Sequence, residues 1–197
     1  MKDPRLERWL QALVSTPGLT AIEDLDVAWR EHVERSLEAL PVVERFGGTI
    51  VDVGSGGGSP GIPLAAALSE REVTLLESSG RKCAFLERVA GDFPNVRVVR
   101  GRAEEQSTDG YDVAVARALA PPPVAAEWCL PLVRAGGAVV LYVGSSADTD
   151  AVQTVSDQVG GGVVEASQPG LLVIPKVSLT PAGYPRRPGV ARKRPLA

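Results

Sequence analysis

Residues 49–61 read T-I-V-D-V-G-S-G-G-G-S-P-G, and the architecture of the chain follows from them. Residues 50–53 are an apolar run of strand length, interrupted only by Asp52. Five glycines follow within eight residues, at Gly54, Gly56, Gly57, Gly58 and Gly61. The pattern then predicts a helix over residues 62–68. Strand, glycine turn and helix N-terminus in succession make a backbone cradle, suited to a ligand that must approach the main chain closely.

Working outward, strands alternate with helices. Strands are expected at residues 73–77, 96–100, 111–116 and 138–143, with helices over 81–89, 123–133 and 148–159. Two further strands, 163–166 and 171–177, are separated by S-Q-P-G at residues 167–170. That connection is too short for a crossover helix and suits an antiparallel hairpin. The expected fold is α/β: a mostly parallel, doubly wound, seven-stranded sheet, Rossmann-like, with an antiparallel C-terminal hairpin. Ahead of it lies a short helical preamble. Asp3-Pro4 opens its first helix, which runs to about residue 14. A second starts near Asp24 and carries Leu25, Trp29, Val33, Leu37 and Leu40 on one face. Residues 1–47 are read as preamble, 48–177 as the main domain and 178–197 as a basic tail, all within a single domain.

At 44% hydrophobic and 23% charged residues, the chain has enough apolar content for a full core. No apolar run approaches the roughly 20 residues needed to span a bilayer, and the charged N-terminus lacks a signal-peptide core. Cys83 and Cys129 have no metal-ligand spacing and read as reduced packing residues of a cytoplasmic protein; no metal is expected, and a monomer is. The net charge of −3 conceals an asymmetry. Arg186, Arg187, Arg192, Lys193 and Arg194 lie in a tail without acids, which leaves 21 less 5, or 16, basic residues against 24 acidic ones elsewhere. A basic tail on an acidic body suggests a polyanion contact confined to one surface, or else a solvated terminus.

Two cofactors compete for the cradle. Gly56, Gly58 and Gly61 satisfy G-x-G-x-x-G, with Glu77 about 20 residues on, as a dinucleotide site wants. Asp52, Gly54, Gly56 and Gly58 form D-x-G-x-G-x-G, which resembles motif I of class I methyltransferases using S-adenosylmethionine. A carboxylate inside an apolar strand must face a cation or a network of donors, and Asp52 therefore favours S-adenosylmethionine, with its ammonium group. Ligands of such sheets bind beyond the carboxyl ends of the strands. Glu77 is placed there to accept from ribose hydroxyls, Ala103 and Glu104 to flank the adenine, and Arg117 where the reacting groups meet. After the fourth strand comes A-R-A-L-A-P-P-P at residues 116–123. It lacks the acid or amide and the aromatic residue with which amino-directed methyltransferases hold a base. No Pro-Cys pair offers the nucleophile that pyrimidine C5 requires. What remains is an acceptor already carrying a lone pair, such as guanine N7, which needs alignment and no general base.

These residues resemble the ribosomal small-subunit methyltransferase G family, also called glucose-inhibited division protein B. The resemblance is carried by L-T-A-I at residues 19–22, D-V-G-S-G-G-G-S-P-G-I-P-L-A at 52–65 and L-L-E-S-S-G-R-K-C-A-F-L at 75–86. It continues in G-R-A-E-E at 101–105, A-R-A-L-A at 116–120, E-W-C-L-P-L-V at 127–133 and T-P-A-G-Y-P-R-R-P-G at 180–189. It implies methyl transfer from S-adenosylmethionine to N7 of guanine 527, in the usual numbering, of 16S ribosomal RNA, either free or in the small subunit. It also implies cofactor contacts at Gly54, Ser59, Ala103, Glu104 and Arg117, with Glu77 standing where the family has aspartate. Tyr184 and the cations of the tail become candidate RNA contacts, with docking of the tail on the body as the other reading. The chain departs from the family pattern at Gly18, at Arg35 in place of an acid, at Ser59 in place of an apolar residue, and at Val143 in place of a lysine. A family member that binds cofactor without transferring the methyl group is the alternative these departures raise.

Overall fold

The computed structural model describes residues 2–197. Seven strands form one sheet: β1 (Ile50–Val53), β2 (Val73–Glu77), β3 (Val96–Arg100), β4 (Tyr111–Arg117), β5 (Val133–Tyr142), β6 (Glu165–Gln168) and β7 (Leu171–Pro175). Their order is β3-β2-β1-β4-β5-β7-β6. β1 to β5 run parallel, and β7 lies antiparallel to both β5 and β6. The chain leaves β1 toward β2 and β3, then returns to β4 on the other side of β1. The loops after β1 and β4 therefore diverge at a switch point, where open α/β sheets leave a crevice for ligands.

Side-chain alternation on β1 divides the core. Ile50 joins α1 (Pro4–Val14), α5 (Gly61–Ala67) and α6 (Gly80–Ala90) on one face. Val51 and Val53 join α7 (Pro122–Cys129) and α8 (Thr149–Gln158) on the other. Asp52 must then point into the first face, toward α5.

β5 begins five residues earlier than the sequence pattern suggests, and residues 130–133 do not continue α7. Pro131 has no N–H to donate and crowds the preceding turn, so α7 stops at Cys129 and Leu130–Leu132 form a 3₁₀ turn that leads straight into the strand. β7 ends at Pro175, and the backbone of the next residue, Lys176, still pairs with Gly136 and Gly137 of β5. The buried Lys176 ammonium donates to the carbonyls of Leu130 and Val159 (3.0 Å each) and to Thr180 Oγ1 (2.9 Å), which fixes the start of the tail against the sheet.

The preamble is integrated with the cradle. Asp3 caps α1, and Trp9 on its buried face donates its indole N–H to the Gly57 carbonyl (2.9 Å). The second preamble helix is not uniform: α2 (Leu25–Ala28) passes through a wider π turn, Trp29–Glu34, into α3 (Arg35–Leu37), and α4 (Leu40–Val43) follows. Apolar residues spaced by four rotate the stripe by about 40° per step on a regular helix. A wider turn absorbs that drift. Leu25, expected on the stripe, is exposed, and the packed face starts at Ala28 and Trp29.

Candidate active site

Gly54 follows β1 with a φ of 73°, and a Cβ there would run into Leu119 in the loop after β4. Only glycine lets these two loops close on each other. The cradle is then held by its own backbone. The Gly54 and Ser55 amides donate to the Leu76 carbonyl (2.8 and 3.2 Å), and the Gly58 amide donates to the Ser55 carbonyl (2.7 Å). Glu77, at the end of β2, is buried and accepts from the Gly56 amide on Oε2 (3.0 Å) and from the Ser79 amide on Oε1 (2.7 Å). One carboxylate thus joins the glycine loop to the turn after β2, and each oxygen keeps a further lone pair.

Asp52 corrects its expected role. It is fully buried beneath the loop: Oδ2 accepts from the Gly61 amide at the start of α5 (3.0 Å), and Oδ1 has no partner. It lines neither cavity of the site, so it shapes the cradle from below. Burial, only partly offset by the Gly61 bond, pushes its pKa up to about 7. An acid whose folded pKa lies above its unfolded value stabilises least when ionised, so its contribution falls as pH rises from about 4 to about 7. Denaturant titrations are expected to show wild-type stability falling relative to Asp52→Asn across that window, by up to about 4 kcal/mol. A pH-independent difference between the two proteins would contradict this.

Two cavities meet at Gly54. One, ≈ 230 Å³, lies between the loops after β2, β3 and β4, with Leu76, Ala103, Glu104, Leu119 and Trp128 among its walls. The other, ≈ 200 Å³, lies under the preamble, with Gly56, Ser59, His32, Lys82 and Arg117. Neither reaches the roughly 300 Å³ of an ordinary small-molecule site, whereas the pair does. Both have polar walls, Arg102, Glu104 and Arg192 in the first and Lys82 and Arg117 in the second, and because they share Gly54 they suit one elongated ligand.

Arg117 closes β4. Its Nη1 donates to the Glu31 carbonyl in the π turn (2.6 Å) and to Ser59 Oγ (3.3 Å). Ser59 also donates to the His32 carbonyl (3.2 Å) and shares a hydroxyl–hydroxyl bond with Ser36 (2.9 Å). The preamble therefore fixes the guanidinium directly, a link that spacing along the chain does not reveal. Ala118, the next residue, has φ of 52°, a conformation that non-glycine residues adopt rarely and at a cost of order 1 kcal/mol. Burial lowers the Arg117 pKa without bringing it near neutrality. His32 is a wall of the second cavity. Its Nε2 pairs with Thr20 Oγ1 (3.1 Å), and its Nδ1 is buried without a partner. Burial and then the Arg117 charge hold its pKa below the ordinary value, which leaves the ring neutral at pH 7. Lys82, Leu119 and Trp128 are further lining residues not singled out in the sequence.

The tail divides between its two readings, with part docked on the body and part exposed. Arg186 is turned inward into a two-pronged ion pair with the buried Glu127 carboxylate, and Tyr184 packs on the core of that face. Arg192 donates to the Leu119 carbonyl and lies over the Trp128 ring, 5.3 Å from its centroid. Arg187, Lys193 and Arg194 remain exposed. Arg35 and Val143, two of the departures from the family pattern, line a separate open groove beside the hairpin. Among the described residues no group of three or more His, Cys, Asp or Glu side chains is placed to hold a metal, and no helix is long and apolar enough to cross a membrane.

A family model described as rRNA small subunit methyltransferase G matches residues 4–170. The chain belongs to this family. A protein called ribosomal RNA small subunit methyltransferase G from Roseiflexus castenholzii is 40% identical over 200 residues, covering 91% of this chain and 84% of that one. One of the same name from Synechococcus elongatus is 37% identical over 199 residues, covering 91% and 82%. Among solved structures, a SAM-dependent O-methyltransferase from Thermotoga maritima aligns with a TM-score of 0.59 at 14% identity, over 75% of this chain and 66% of that one. A T. thermophilus 16S rRNA N2 G1207 methyltransferase, in complex with AdoMet and guanosine, aligns with a TM-score of 0.53 at 18% identity, over 69% and 37%. These two establish the likeness of fold: a class I methyltransferase sheet with its antiparallel hairpin. Family membership sets aside the nicotinamide reading of Gly56, Gly58 and Gly61.

Proposed function

We propose that this protein transfers a methyl group from S-adenosylmethionine to N7 of guanine 527 in 16S ribosomal RNA. The paired cavities fit the cofactor. Leu76, Ala103, Glu104 and Leu119 would flank its adenine, and Glu77 would accept from its ribose hydroxyls. Gly54, Gly56, Gly58 and Ser59 would take the methionyl end close to the main chain, with Lys82 near its carboxylate. Asp52 supports them from beneath. When bound, S-adenosylmethionine supplies a sulfonium-activated methyl group for transfer to a lone pair in line with it.

The observation that carries the choice of acceptor is the set of side chains around Arg117. The cavity has no carboxylate wall among the described residues, and its histidine pairs with Thr20 through Nε2 while its Nδ1 is buried out of reach of the cavity. An amino or hydroxyl acceptor has a proton to lose and would call for a base in this cavity; guanine N7 has none. The work left to the protein is positioning and exclusion of water. Arg117, held by Glu31 and Ser59, offers a fixed guanidinium edge beside the acceptor, and the preamble covers the cavity from above. Phosphate contacts fall to the exposed Arg187, Lys193 and Arg194, which add salt-dependent affinity. RNA carrying 7-deazaguanine at the target position is expected to accept no methyl group while competing normally with unmodified RNA. Methylation of the deaza-substituted RNA would refute the assignment of N7.

A further inference from the structure

The C-terminal segment reaches the site from the side opposite the preamble. Its short helix α9 (Val190–Lys193) is pinned by the buried Ala191 and, upstream, by the inward ion pair of Arg186 with Glu127. Between these anchors the Gly189 amide donates to Glu104 Oε1 (3.1 Å), and just past Ala191 the Arg192 side chain covers Trp128. Gly189 and Arg192 are both walls of the cavity that holds Leu76 and Ala103. A second, independent feature marks this spot. Trp128 lines the same cavity, is 8% exposed, and its indole N–H is buried without an acceptor. A buried donor left unpaired is uncommon and calls for a partner. The nitrogen-rich edge of a purine supplies acceptors of the kind it lacks, and the guanidinium of Arg192 offers a planar surface on which such a ring can stack.

We infer that Gly189, Arg192 and Trp128 form the outer wall of the nucleoside end of the cofactor pocket, so that the basic tail is a strap over S-adenosylmethionine as well as a surface for RNA. Glu104, tied to Gly189, sets the position of the strap, and the Arg186–Glu127 pair anchors it. This rests on the cofactor reading above. It assigns to the tail a role in cofactor retention that requires no RNA.

Calorimetric titration with S-adenosylhomocysteine, on the full chain without RNA, tests it. Arg192 is exposed, so Arg192→Ala leaves the fold intact and is expected to bind about tenfold more weakly. In the wild type, saturating S-adenosylhomocysteine is expected to slow tryptic cleavage after Lys193 severalfold. Wild-type binding with an Arg192→Ala affinity within twofold, or with cleavage unchanged, overturns the strap. Failure of the wild type to bind S-adenosylhomocysteine at all overturns the cofactor reading instead.

Discussion

Arg117→Ala is expected to lower turnover at saturating cofactor and RNA by about 100-fold, the size of effect that follows from losing a fixed positioning group in an active site. The guanidinium is held by the Glu31 carbonyl and Ser59 and lies among the walls of the cavity under the preamble. Removing it frees the π turn as well as the reacting centre. Cofactor affinity should fall much less than rate, because Gly54 is tied to the Leu76 carbonyl and Gly56 to Glu77 independently of Arg117. Arg117→Lys keeps the charge but not the planar fork, and is expected to recover only part of the activity. Single-turnover rates separate chemistry from binding. A rate unchanged at saturation would show that Arg117 is a packing residue.

Glu77→Ala is expected to act on the other quantity. It deletes a buried carboxylate that accepts two backbone amides, those of Gly56 and Ser79, and leaves both donors to find new partners. Hydrogen bonds to a charged group contribute about 1.5–3 kcal/mol each, so loss of the ribose contact alone should weaken cofactor binding by one to two orders of magnitude. Glu77→Gln keeps the shape and one acceptor, and should fall between. Calorimetry with S-adenosylhomocysteine measures the change directly. A cofactor affinity equal to wild type in Glu77→Ala would remove Glu77 from the site.

Much of this was legible in residues 49–61 and in the pattern around them. Alternation of apolar runs with helix caps at Asp3, Asp24 and Asp148 places the strands and helices, because those signals are local. The short S-Q-P-G segment points to the antiparallel β6–β7 pair, in which only Pro169 and Gly170 are left outside the strands. The glycine positions reveal a cradle because Gly54, Gly56 and Gly58 all take positive φ, a conformation that other residues rarely adopt. What the sequence hides is side-chain direction. Asp52 reads as a ligand-facing acid, but its place on β1 turns it under α5 to the Gly61 amide. Arg186 reads as one cation among five, yet it is committed to a carboxylate 59 residues away. The π turn in the preamble has no sequence signature beyond the over-wide spacing of Trp29, Val33 and Leu37, and it is the element that holds Arg117.

The assignment of substrate is tested most directly by methyl transfer with position mapping. Purified protein is incubated with methyl-labelled S-adenosylmethionine and unmethylated 16S ribosomal RNA, in parallel as free RNA and within the small subunit. The label is expected as N7-methylguanine at position 527 with at least one of the two substrates. Cofactor binding with no N7-methylguanine at that position in either substrate would contradict the account.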